Sequence, residues 1–160
     1  MIQIRHGVFE TNSSSTHSVT VFSKKFSPST LDVYSDGYIH INLGEFRWEV
    51  RNYYSQNERL SYLLTMLYEL TGRNIPYSHN YEQNVMESMI ESDDFTRIVE
   101  DVCSYTDADG IVIDNTYGYI DHQSSTDEYR TIDEFLDDCG CTITEFVFGD
   151  VCVHTDNDNH

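Results

Sequence analysis

The chain has 160 residues, 28 of them Asp or Glu and 9 Lys or Arg, which gives a formal net charge of -19 and a pI of about 4.4. That length suits one domain with a real core, and 39% apolar and 13% aromatic content exclude a wholly disordered acidic chain. No apolar run approaches the ~20 residues of a membrane span, residues 1–8 lack the apolar centre of a secretory signal, and the negative balance excludes charge-driven binding to nucleic acid.

In chain order, Ile2 to Ile4 and then His17 to Phe22 read as strands, the second by its alternating Ser18, Val19, Thr20, Val21 and Phe22. Between them Glu10 to Thr16 is a polar loop without Gly or Pro, of the kind ordered by side-chain to backbone hydrogen bonds. Asp36-Gly37 fits a turn into the alternating strand Tyr38 to Leu43, and Gly44 separates that strand from Phe46 to Val50. Asn57 to Leu70 is the strongest helix, with Leu60, Leu63, Leu64 and Leu67 in an apolar stripe and Gly72 suited to its C-terminal cap. Further helices are expected over Glu82 to Ile90 and from Ser92 or Asp93, the latter burying Phe95, Ile98, Val99 and Val102. Asp109-Gly110 marks a turn into Ile111 to Ile113, for which Tyr117 to Ile120 is the expected return strand of a hairpin. Thr131 to Asp138 begins Thr-Ile-Asp-Glu, a capping pattern for a short helix. Ile143 to Phe148 and Val151 to His154 read as two strands joined by Gly149-Asp150. Strands, then helices, then strands imply an α+β fold: a single domain over residues 1–160, with an antiparallel sheet and about three to four helices.

The charge is lopsided. Residues 1–80 hold seven acids and seven bases and are neutral, whereas residues 81–160 hold 21 acids against Arg97 and Arg130, so 2 − 21 accounts for the whole -19. A field of that shape keeps a protein soluble and steers a basic partner. The carboxylates expected on helix faces are Asp93 and Asp94 in one helix and Asp133, Glu134, Asp137 and Asp138 in another.

Three polar clusters stand at expected strand ends: Asn12 to His17, Asp121 to Ser124 and Asp156 to His160. His and carboxylate side chains supply the N and O ligands of a divalent metal such as zinc, and the best set is His17, Asp121, His122 and Asp156 or Asp158. The alternative is separate turn caps and a solvated acidic tail. A cysteine site built from Cys139, Cys141, Cys152 and His154 is disfavoured by the expected hairpin, which separates Cys141 from Cys152 by roughly 20 Å. Cys152 is then core-facing or lightly buried, as free thiols usually are, and four cysteines without a signal fit a reducing, cytoplasmic setting. Ser13, Ser14 or Ser15 as a nucleophile would need His17 or His122 as base and Asp121 to orient it, but no nucleophile elbow accompanies them, and ordering of the loop is the simpler role. Tyr53, Tyr54, Tyr77 and Tyr81 belong to a residue type favoured at protein interfaces.

The opening Arg5-His6-Gly7-Val8-Phe9-Glu10-Thr11-Asn12-Ser13-Ser14-Ser15-Thr16-His17-Ser18, the Asp-His-Gln-Ser segment at 121–124 and the Asn-Asp-Asn at 157–159 resemble a group of small proteins from phages and prophages of Gram-positive bacteria. In size, charge and context such proteins are similar to anti-CRISPR inhibitors, some of which bind a metal. The resemblance implies a non-enzymatic inhibitor in the bacterial host cytoplasm. Its acidic half would dock on the basic nucleic-acid channel of a CRISPR nuclease or similar host defence enzyme and block DNA loading, with a structural zinc. The competing expectation is a metal-dependent hydrolase or phosphoesterase that uses the same His and Asp cluster to activate water.

Overall fold

The structure is a computed structural model that describes residues 4–10, 15–47, 49–120 and 129–157. Among these residues it is an α+β fold of five helices and eight strands. The main sheet is antiparallel, with strands β1 (Ile4–Glu10), β2 (Ser15–Ser23), β8 (Asp150–Asn157) and β5 (Arg51–Tyr53) in the order β1-β2-β8-β5. The cross-strand pairs His17–Thr155, Val19–Val153 and Val21–Val151 are all buried and share one face of the β2–β8 ladder.

Two short parallel pairs complete the strands. In one, β3 (Tyr38–Ile41) lies beside β6 (Gly110–Ile113); in the other, β4 (Glu45–Phe46) lies beside β7 (Tyr119–Ile120). The expected hairpin of Ile111 to Ile113 with Tyr117 to Ile120 is therefore incorrect. Each strand instead crosses to a partner from the first half of the chain. Asn115 makes this possible by acting as a surrogate strand residue: its side chain accepts from the Leu43 amide at 2.7 Å and donates to the Leu43 carbonyl at 2.9 Å.

Helix α1 (Gln56–Gly72) runs through the middle of the core and is buried around most of its circumference. Ser55 and Glu58 form its capping box. Its polar residues are satisfied locally: Ser61 donates to the Asn42 carbonyl at 2.7 Å, and Thr65 accepts from the Gly44 amide at 3.0 Å. Gly72 is the last helical residue and Arg73 the cap, so Gly72 does not serve the expected left-handed role. Its value is closeness, because a Cβ there would lie 2.6 Å from the Tyr81 hydroxyl.

Helices α2 (Tyr81–Ile90) and α3 (Asp93–Ser104) follow; α3 buries Phe95, Ile98 and Val102 as its periodicity predicts. Helix α4 (Ile132–Cys139) starts on Thr131, whose hydroxyl accepts from the Glu134 amide, and stops at Gly140 with φ 71°, the left-handed cap that glycine favours. Residues 143–148, read from the sequence as a strand, form helix α5 (Ile143–Phe148). Thr142 and Glu145 make a complete capping box, and Ile143, Phe146 and Val147 recur at helical spacing on the buried side. The local cap outweighs a β-branched and aromatic composition that favours a strand.

Candidate interaction surface

Helices α3 and α4 come together at their N-terminal ends through Arg97. Its guanidinium holds Asp133 of α4 in a fork, with Nη1 to Oδ2 at 3.1 Å and Nη2 to Oδ1 at 2.8 Å, and reaches Asp94 of α3 at 3.2 Å. Of the carboxylates named from the sequence on two separate helices, Asp93 with Asp94 and Asp133 with Glu134, Asp137 and Asp138, Arg97 thus brings Asp94 and Asp133 together. Hydrogen bonding to Asp133, with the charges of Asp133, Asp94 and Asp101, raises the pKa of Arg97 above its ordinary value. An exposed pair of this kind contributes at most about 1 kcal/mol to stability, so Arg97 chiefly fixes where the two helices stand.

Asp93, Glu134, Asp137 and Asp138 are exposed. Asp133 and Glu134 lie in the first turn of α4, and Asp93 and Asp94 in the first turn of α3, where the helix dipole favours negative charge. Asp137 and Asp138 lie in the last turn of α4, which holds no basic residue, and there the dipole opposes them. Asp138 accepts a short hydrogen bond from the Tyr129 hydroxyl.

The residues proposed to ligate a metal are distributed differently. His17 is fully buried on the inward face of β2, with Nδ1 3.1 Å from the Tyr62 hydroxyl. Burial lowers its pKa to about 4, against an opposing contribution from the Arg47 backbone. In the β2–β8 ladder His17 pairs with Thr155 and Thr16 with Asp156, so Asp156 lies on the outward face, where its carboxylate is 3.7 Å from His154 Nε2. His17 and Asp156 therefore stand on opposite sides of one sheet and do not share an ion. Asp121, His122 and Asp158 lie outside the described residues. Among the described residues no three His, Cys, Asp or Glu side chains gather as a metal site.

The cysteine geometry also changes. With α5 helical and β8 paired to β2 and β5, no 143–154 hairpin exists, and the separation of Cys141 from Cys152 that it implied has no basis. Cys139, Cys141 and Cys152 are buried free thiols, as expected for Cys152. Burial raises all three, Cys141 to about 11, which keeps them protonated and poor as nucleophiles or ligands. Of the serines weighed as nucleophiles, Ser13 and Ser14 lie outside the described residues and Ser15 begins β2 opposite Asn157. Of the two candidate bases, His17 is turned into the core and His122 lies outside the described residues.

The residue that sequence reasoning missed is Arg97. It is one of two cations in the acidic half, and that scarcity was the available signal. No protein family, curated protein or solved structure significantly matches the chain.

Proposed function

We propose that this protein is an inhibitor that docks the α3–α4 carboxylate surface on the basic nucleic-acid channel of a host defence nuclease of the CRISPR type and excludes DNA. The observation that carries the reading is the placement of Asp137 at the C-terminal end of α4, beside an Asp138 that Tyr129 already holds. First-turn acids stabilise their own helices and need no partner, but last-turn acids act against theirs. Carboxylates along the solvent side of a short, half-buried helix suit a channel whose Lys and Arg side chains otherwise hold a phosphate backbone. The same charge, confined to residues 81–160, speeds encounter with such a surface.

The test is cleavage of target DNA by a purified RNA-guided nuclease at graded inhibitor ratios. Inhibition is expected to saturate near one-to-one and to weaken about tenfold as salt rises from 50 to 500 mM. The variant carrying Asp133→Asn, Glu134→Gln, Asp137→Asn and Asp138→Asn is expected to lose inhibition while still melting cooperatively, within several degrees of the parent. Full inhibition by a folded quadruple variant overturns the reading. Inhibition at trace, sub-stoichiometric amounts replaces it with the enzymatic one.

A further inference from the structure

On another part of the surface the C-terminal turn of α1, the start of α2 and the residues leading into β7 enclose a cleft of about 400 Å³. Five tyrosines line it, Tyr68, Tyr77, Tyr81, Tyr117 and Tyr119, together with Glu69 and Glu82. The walls are built. Tyr81 donates to the Gly72 carbonyl at 2.9 Å and stacks obliquely on Tyr77, with ring centroids 5.5 Å apart. On the facing wall Asn115 donates to the Tyr117 carbonyl at 2.8 Å, and the Tyr119 amide donates to the Gly44 carbonyl at 2.9 Å. Gly118 between them lies so close to the β3–β4 connection that a Cβ would sit 2.5 Å from Leu43 Cβ and 2.7 Å from the Gly44 carbonyl oxygen.

Two features need explaining. Tyr77 is 90% exposed and Tyr117 44% exposed, so two large aromatic faces are held open to solvent at one cleft. Among the lining residues Tyr68 is only 5% exposed, and its hydroxyl is buried without a hydrogen-bond partner among the described residues. A buried hydroxyl with no partner is costly, and a ligand entering the cleft with N–H donors would satisfy it.

We infer that this cleft is a receptor for a cationic side chain, the guanidinium of arginine above all, inserted by the partner protein. Tyrosine faces attract cations through the ring quadrupole, and a planar guanidinium also stacks on them and carries N–H donors. Glu69 and Glu82 supply the countercharge. The same field shows in the tyrosines: burial together with Glu82, Tyr81 and Glu69 pushes Tyr68 up to about 12, and burial with Tyr119, Glu45, Glu69 and Glu82 also raises Tyr117. Burial, the larger cause in both, disfavours any charge; the share owed to Glu69 and Glu82 is the part that favours a cation. The ownership of that cation by a basic partner protein rests on the function proposed above; the affinity of the cleft for a cation does not.

The probes are N-acetyl-arginine amide, N-acetyl-lysine amide and the uncharged N-acetyl-citrulline amide, titrated into the full chain while tyrosine ring resonances are followed by NMR. Arginine is expected to shift the Tyr77 and Tyr117 rings saturably, lysine more weakly and citrulline not at all. Tyr77→Ala and Tyr117→Ala, at exposed positions that the fold tolerates, should each weaken arginine binding about three- to fivefold. Tyr68→Phe should weaken arginine binding with the melting temperature held or raised. The quadruple α4 variant should bind arginine as the parent does. Equal shifts with citrulline, a linear unsaturated response, or parental affinity in the Tyr77→Ala/Tyr117→Ala double variant overturns the inference. So does loss of arginine binding in the α4 variant, which would make the response one of general charge. Normal arginine binding beside a failed inhibition assay leaves the cleft standing and removes only the proposed function.

Discussion

Two histidines give this protein opposite responses to pH. His17, buried against Tyr62, has a pKa of about 4, below its unfolded value of 6.5. The unfolded chain therefore takes up a proton first, and stability falls as pH drops from about 6.5 towards 4, by about 3 kcal/mol across the window. His40 works the other way. Asp36 binds its Nε2 at 2.6 Å and Asp114 its Nδ1 at 3.1 Å, and these bonds raise its pKa. Its contribution is present below 6.5 and is lost as pH rises through the raised value. Urea titrations at pH 4.5, 6 and 8 should show His17→Gln flattening the acid limb and His40→Asn flattening the alkaline one. An acid limb unchanged in His17→Gln would assign the acid sensitivity to other groups.

Helices decide the intermediate scale. Thr142 accepts from the Glu145 amide at 3.2 Å, and Glu145 accepts from the Thr142 amide at 3.0 Å. Thr142→Ala should cost about 1 kcal/mol in chemical denaturation; no loss would mean that α5 is held by packing alone. On α4, Asp137→Asn relieves a charge that the helix dipole opposes. It should raise the melting temperature by about 1–3 °C while weakening inhibition, a stability gain at the expense of function. A variant that gains both would remove Asp137 from the interface.

These elements also show what was legible beforehand. The periodicity of α1, α3 and α4 and the Thr131 cap were readable because each is a local pattern. The Thr142-Ile-Thr-Glu145 cap was equally local, but the apolar run Phe146 to Phe148 mimics a buried strand. The parallel pairs β3–β6 and β4–β7 leave no local signature, since each joins residues about 70 apart. The same holds for the candidate surface: the acids were visible as a charge bias, whereas their union through Arg97 and Asp133 crosses 36 positions of sequence.

At the scale of the whole molecule the sheet order β1-β2-β8-β5 sets the terms. The strand latest in sequence lies between β2 and β5, both from the first half of the chain, and every pairing it makes is long-range. Such topologies fold slowly, because loop closure must precede the contacts that reward it. Ending the chain after Gly149 should abolish cooperative melting altogether and not merely trim an edge, as circular dichroism against temperature would show. A cooperative transition in that truncated chain would mean that the helices and the parallel pairs fold without β8.

The position of β8 also bears on how the protein comes into being. While the chain is being synthesised, β2 and β5 emerge long before the strand that joins them. Val19, Val21 and the rest of β2 stay without their neighbouring strand until residues 150–157 have cleared the ribosome. Completion of the main sheet thus waits on the synthesis of β8. A chain interrupted before that point lacks the strand that joins β2 to β5 and is exposed to proteases.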